Sequence, residues 1–157
     1  MNIFYSDPCP VKCAINLDSK RVVKMTLETC QILMTSLNCY GVSTPYKATH
    51  KNHPCCIWAR ETRANFEWLL KHFIALLSEY QYRYGKKHKC FGYVNFLYSN
   101  INVIPTGNLT DHKNCTKFKE VDDIILAYRM ALKDKWINDK RKPVFHKRNQ
   151  PSWYNKI

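Results

Sequence analysis

Two long stretches of this chain repeat apolar residues at every third or fourth position, and that period commits both to helix. From Ser19 to Leu37 the stripe is Val23, Leu27, Cys30, Met34 and Leu37. From about Cys56 to Tyr82 it is Trp58, Thr62, Phe66, Leu69, Phe73, Leu76 and Tyr80, with Arg60, Arg63, Glu67 and Lys71 on the polar side. A helix returns a side chain to the same face every ~3.6 residues, so each stripe is a surface that must be buried against another element. Gly85 follows the second stretch, and glycine takes the left-handed conformation that ends many helices. A third helix is expected at about Phe118 to Asn138, burying Val121, Ile125, Tyr128, Leu132 and Trp136. Asn38 to Pro54 reads as loop. Lys86 to Lys117 reads as an irregular connection with a short strand at Tyr93 to Leu97. The expectation is a mainly α, compact single-domain helical fold over residues 1–157. It has a long irregular connection before the last helix and a basic aromatic C-terminal tail at 140–157.

Composition narrows what such a fold does. An apolar fraction of 45% with only four glycines supports a packed core and excludes wholesale disorder and collagen-like repeats. No apolar run approaches the roughly 20 residues of a membrane span. MNIFYSDPCP lacks the charged and apolar regions of a secretory signal. Eight cysteines without such a signal are expected to be reduced thiols in a cytoplasmic compartment, that of a bacterium or an infected host cell. Lys and Arg number 25 against 12 Asp and Glu, a net charge of +13. A compact domain so charged attracts polyanions, of which nucleic acid is the commonest. The basic residues are spread widely, which disfavours a membrane surface, and a merely soluble basic protein is the plain alternative. A monomer is expected.

Three groupings of residues bear on chemistry. On the first helix Arg21, Lys24, Glu28 and Gln31 follow at spacings of three, four and three. That row reads either as a solvated face with weak ion pairs or as groups aimed at one ligand. Glu28 stands out, because a carboxylate among cations on a phosphate-binding surface needs a structural partner or a catalytic role. Basic residues interleave with aromatics from Tyr80 to Lys89, including Lys86 and Lys87, and again in the tail. Such a pattern neutralises phosphates and stacks bases, or else merely caps the core and keeps the chain soluble. His50, His53, Cys55 and Cys56 lie within seven residues, and Cys9 and Cys13 are four apart. These spacings are not those of a structural zinc site, and the adjacent Cys55 and Cys56 chelate awkwardly. No metal and no cofactor are expected, most of the cysteines reading as small buried hydrophobes. No nucleophile elbow, phosphate-cradling glycine loop or dinucleotide fingerprint is present.

Two blocks, LDSKRVVKMTLETCQIL at Leu17–Leu33 and HKNHPCCIWARETRANFEWL at His50–Leu69, resemble the pyrimidine-dimer DNA glycosylase family, the phage-type endonuclease V enzymes. Leu17, Asp18, Arg21, Lys24, Glu28, Gln31, Ile32, Leu33, Asn52, His53, Pro54 and Trp58 carry the match, and Pro151-Ser-Trp153-Tyr154 looks like the close of the phage enzyme. The likeness covers about residues 1–85 and that tail. It implies a cofactor-free N-glycosylase with abasic-site lyase activity on damaged pyrimidines in duplex DNA. In that family the N-terminal α-amine attacks deoxyribose C1′ to form a Schiff base. An α-amine ordinarily titrates at about 7.7–8.0, so a useful fraction is neutral near physiological pH. The family's catalytic glutamate falls on Glu28 and its assisting basic residue on Arg21. Asn2 follows Met1 here, and a side chain of that size leaves the initiator methionine in place. The amine is therefore expected on Met1, or on Asn2 if the chain is processed. Nucleic-acid contacts are expected from Lys24, Gln31, Asn52, His53, Arg60, Lys86, Lys87, Trp153 and Tyr154. The competing reading is a non-catalytic viral binding protein on the same scaffold, holding nucleic acid or a nucleotide. A structural zinc protein is a third.

Overall fold

The computed structural model describes residues 1–156. Six helices carry the fold, and among the described residues there is no strand. They are α1 (Pro10–Ile15), α2 (Ser19–Cys39), α3 (Pro54–Glu61), α4 (Arg63–Tyr84), α5 (Val94–Ser99) and α6 (Ile124–Asn138). Short 3-10 turns at Lys89–Tyr93 and Ile101–Val103 flank α5. No described helix is long and apolar enough to cross a membrane.

Local chemistry sets most of the helix ends. Asp18 caps α2 by accepting from the Arg21 amide, His53 caps α3 through Cys55, and Asp123 caps α6 through Ile125 and Leu126. Gly85 ends α4 at φ +70°, as expected of its position. Packed against one another, α2, α3 and α4 bury one cluster that includes Leu33, Leu37, Trp58, Phe66, Leu69 and Phe73. A second cluster joins Val22, Met25, Leu76, Tyr128, Leu132 and Trp136 under α6. Adjacent residues enter different clusters: Ile3 is buried in the first and Phe4 in the second. Each such side chain contributes roughly 1.5–3 kcal/mol by leaving water, so the N-terminal segment is pinned where the two clusters meet.

The structure corrects several expected details. The stretch from Cys56 to Tyr82 is two helices rather than one, broken at Thr62, whose backbone is extended (φ −139°, ψ 156°). Thr62 is half-buried and caps α4 by accepting from the Asn65 amide, so it is no core residue. The strand expected at Tyr93 to Leu97 is instead the last residue of a 3-10 turn, Tyr93, followed by the start of α5 at Val94. Helix α6 begins at Ile124 rather than Phe118, because Asp123 supplies a two-bond cap there, and Val121 and Ile125 are only half-buried. Val23 is exposed, because α2 turns Val22, Met25 and Thr26 inward beside Cys30. The tail folds back on α2 and α6. The Ser19 amide donates to the Val144 carbonyl (2.8 Å), and the His146 amide donates to Ser19 Oγ (3.0 Å).

Candidate active site

Along α2 the spacing of Arg21, Lys24 and Glu28 puts all three on one face, and the N-terminal segment lies across it. A cleft of about 320 Å³ opens there, with α2 as its floor, Met1, Asn2 and Phe4 as one wall, and Lys135 and Asp139 from the end of α6 as the other. The Met1 amine sits 4.0 Å from Glu28 Oε2. The methionine side chain, 4% exposed, packs into the first cluster, while the Glu28 side chain keeps 18% of its surface open to the cleft. Lys24 Nζ lies 3.4 Å from the other Glu28 oxygen.

The backbone is held tightly at this wall. Phe4 has φ +56°, the left-handed region that a bulky side chain rarely adopts. Its amide donates to Asn2 Oδ1 (2.9 Å), and its carbonyl accepts from the Ser6 amide (2.7 Å). Strain of this kind costs on the order of 1–3 kcal/mol and persists where surrounding packing over-determines the conformation. Here the burial of Ile3 and Phe4 on opposite sides does so.

Arg21 lines the cleft with its guanidinium already engaged. Nη1 donates to Asp18 Oδ1 at 2.9 Å and Nη2 to Asp139 Oδ2 at 3.0 Å. Asp139 also faces Lys20 Nζ at 3.6 Å. Burial pushes the Asp139 carboxyl up, but Arg21 and Lys20 together outweigh it and hold the group below its ordinary value. Four cationic side chains and the α-amine face two carboxylates across the cleft, which leaves it a net attractor of phosphate.

The other expected residues scatter. Half-buried His53 has its pKa lowered, first by burial and then by the Met1 amine, which places it in the electrostatic reach of the cleft. Gln31 is half-buried one turn beyond Glu28 and does not line the cleft. Asn52, Lys86 and Lys87 are exposed elsewhere, Lys87 with its ammonium 4.7 Å from the centre of the Phe91 ring. Arg60 donates to the Lys51 carbonyl at 2.6 Å. Trp153 lies in the core, so its ring is not offered to a base. It stacks on Trp136 at 5.7 Å, with the Arg129 guanidinium 5.5 Å from its centre. Tyr154 is half-buried against the same indole. Sequence reasoning missed Lys20, Lys135 and Asp139. The last two are four apart on a basic segment, a signal too common to single them out.

One sulfur cluster lies apart from the cleft lining. The ligand atoms of His53, Cys55 and Cys115 all fall within 4.8 Å of one another. Cys55 Sγ donates to Cys115 Sγ at 3.5 Å, and this shared hydrogen bond draws the Cys115 thiol below its ordinary value. Neither Cys9 and Cys13 nor His50 and Cys56 join this group.

Residues 1–91 match the family described as pyrimidine dimer DNA glycosylase. No curated protein and no solved structure matches the chain. Every α2 residue of the cleft falls inside the matched segment, while α6, with Lys135 and Asp139, lies beyond it.

Proposed function

The chain belongs to the pyrimidine dimer DNA glycosylase family, and from that premise we propose that it is a cofactor-free DNA N-glycosylase and abasic-site lyase working through the α-amine of Met1. The observation that carries this reading is the 4.0 Å approach of that amine to Glu28 within a cationic cleft. In its neutral form the amine attacks C1′ of the damaged nucleotide. The bond from C1′ to the base breaks and the base leaves with a proton from the amine. The C1′–O4′ bond then opens, O4′ taking a proton from solvent, and the nitrogen remains joined to the ring-opened sugar as a protonated imine. Glu28 balances the positive charge of that intermediate and accepts the C2′ proton as the 3′ phosphate departs. Lys20, Lys24 and Lys135 hold flanking phosphates, whose contacts offset the few kcal/mol needed to extrude a nucleotide.

The buried Met1 side chain supports a retained initiator residue. Removing it would shift the α-amine to Asn2 and take away the side chain that anchors the amine beside Glu28, while the Asn2 side chain is already occupied by the Phe4 amide. The test is borohydride trapping on an abasic-site duplex with mass mapping of the adduct, which is expected on Met1. Glu28→Gln should lower lyase turnover by roughly 10²–10⁴-fold while DNA affinity stays within a few-fold. Full lyase activity in that variant would remove Glu28 from the mechanism. No adduct, with DNA binding intact, would leave a binding module on the same scaffold.

A further inference from the structure

We propose that His53, Cys55 and Cys115 form a zinc site that clasps the chain around residues 105–116 onto the start of α3. Two cysteines and a histidine converge there from positions 60 residues apart, with all three ligand atoms within 4.8 Å. Zinc bound to thiolate at about 2.3 Å in a tetrahedron sets its sulfurs roughly 3.8 Å apart. The two sulfurs already stand 3.5 Å apart, so they need to move only a few tenths of an ångström. The ring nitrogen, within 4.8 Å of the sulfurs, has up to about 1 Å to close, and a donor set of two soft sulfurs and an imidazole selects zinc over the oxygen-seeking divalent cations.

The supports of the three ligands fit that task. Cys55 is fixed near the first turn of α3, and Cys115 is positioned by its amide, which donates to the Tyr128 hydroxyl at 3.3 Å. His53 Nδ1 faces Cys55, whose amide donates to it at 3.2 Å. On coordination Nδ1 exchanges that amide hydrogen for the metal, and Nε2 carries the ring proton. Both thiols lose their protons to solvent, and the two thiolates neutralise the cation. Three protein ligands leave a fourth position for water on the half-buried side, where His53 and Cys115 reach the surface.

A clasp at this point has a clear structural use. The segment it would hold lies outside the residues that match the family, and it runs along the junction of α3 and α4. Trp58 Nε1 donates to the Thr110 carbonyl (3.2 Å), Asn65 exchanges two hydrogen bonds with Thr110, and Thr62 Oγ1 donates to the Asn108 carbonyl. Zinc would close the open end of that seam, close to the Met1 amine that perturbs His53. The proposal does not depend on the catalytic reading.

The experiment is titration of the whole chain with Co2+ alone, under a thiol-free reductant, after purification without a metal-affinity tag. One equivalent should produce the visible bands of tetrahedral cobalt and a thiolate charge-transfer band, both abolished by one equivalent of Zn2+. Cys115→Ser should lose the charge-transfer intensity of one thiolate, whereas Cys39→Ser, at an exposed cysteine outside the cluster, should keep it all. Absence of these bands in the unmodified chain, with Cys55 and Cys115 still alkylated at the same rate in excess Zn2+, overturns the site. Recovery of a Cys55–Cys115 disulfide from freshly purified protein also overturns it, in favour of a redox pair.

Discussion

A single buried carboxylate holds the wall of the cleft in place. Asp18 is 1% exposed, yet it accepts from the Arg21 guanidinium, from the Trp136 indole at 2.7 Å and from the Arg21 amide. It therefore joins the start of α2 to α6 and aims Arg21 across to Asp139. Without it Arg21 keeps Asp139, but one arm of its guanidinium and the buried Trp136 indole N–H lose their acceptor, and orphaning a buried donor costs about 1–3 kcal/mol. Asp18→Ala should lose stability on that scale, as read by urea unfolding followed through tryptophan fluorescence. Lys24→Ala, by contrast, removes an exposed ion pair and should change stability by less than about 1 kcal/mol, and salt should screen most of that.

The break between α3 and α4 governs how the later part of the chain docks. Thr62 leaves helical geometry there, and its neighbour Arg63 donates its amide to the Pro105 carbonyl at 2.7 Å. Gly107 then passes so close that a Cβ on it would stand 2.8 Å from Thr62 Cγ2. Gly107→Ala should destabilise the chain by about 1–3 kcal/mol through overpacking. Thr62→Ser keeps the capping hydroxyl and removes the obstructing methyl. The double variant should therefore recover part of that loss, and a thermodynamic cycle of thermal unfolding would reveal the coupling. Purely additive losses would mean that the two residues do not meet. Farther along α4, Glu79 receives both Arg83 and Arg148, and Arg83 also donates to the Leu17 and Ile15 carbonyls. One helix turn thus ties together α1, α2 and the tail.

Across the whole molecule, two buried histidines set the response to acid. His72 is fully buried, and burial drives its pKa down to about 4; His112, stacked between Tyr5 and Trp58, is driven by burial to about 3. Both are neutral when folded, while in the unfolded chain they titrate near 6.5. Stability from keeping them neutral is complete above about pH 6.5. It is lost as pH falls, because the unfolded chain takes up protons that the fold refuses. Each histidine lowers the unfolding free energy by up to about 1.4 kcal/mol per pH unit between that value and its folded pKa. Denaturation at pH 7 and pH 5 should show this slope, and His112→Phe, which keeps the stacking, should flatten it by about one proton. An unchanged slope would mean that His112 is protonated in the fold.

The helical stretches that became α2, α3 with α4, and α6, the polar row on α2 and the excess of positive charge were legible in the sequence, whereas α1 was not read and α5 was read as a strand. The legible features follow from local rules: a repeat period, the glycine at Gly85 that ends α4, and the count of Lys and Arg. The family likeness over the first half was legible for the same reason, since its motifs lie on continuous segments. The interruption at Thr62 was not, because apolar residues keep helical spacing on both sides and only the capping geometry reveals the break. Nor was the burial of Trp153, since an aromatic residue in a basic tail serves a surface or a core equally well until α6 offers Trp136. The approach of Met1 to Glu28, the second wall at Lys135 and Asp139, and the meeting of Cys115 with Cys55 were decided by tertiary structure alone. Each joins residues far apart along the chain, and their separation in space depends on how two hydrophobic clusters pack around α2 and α4, which no local spacing encodes.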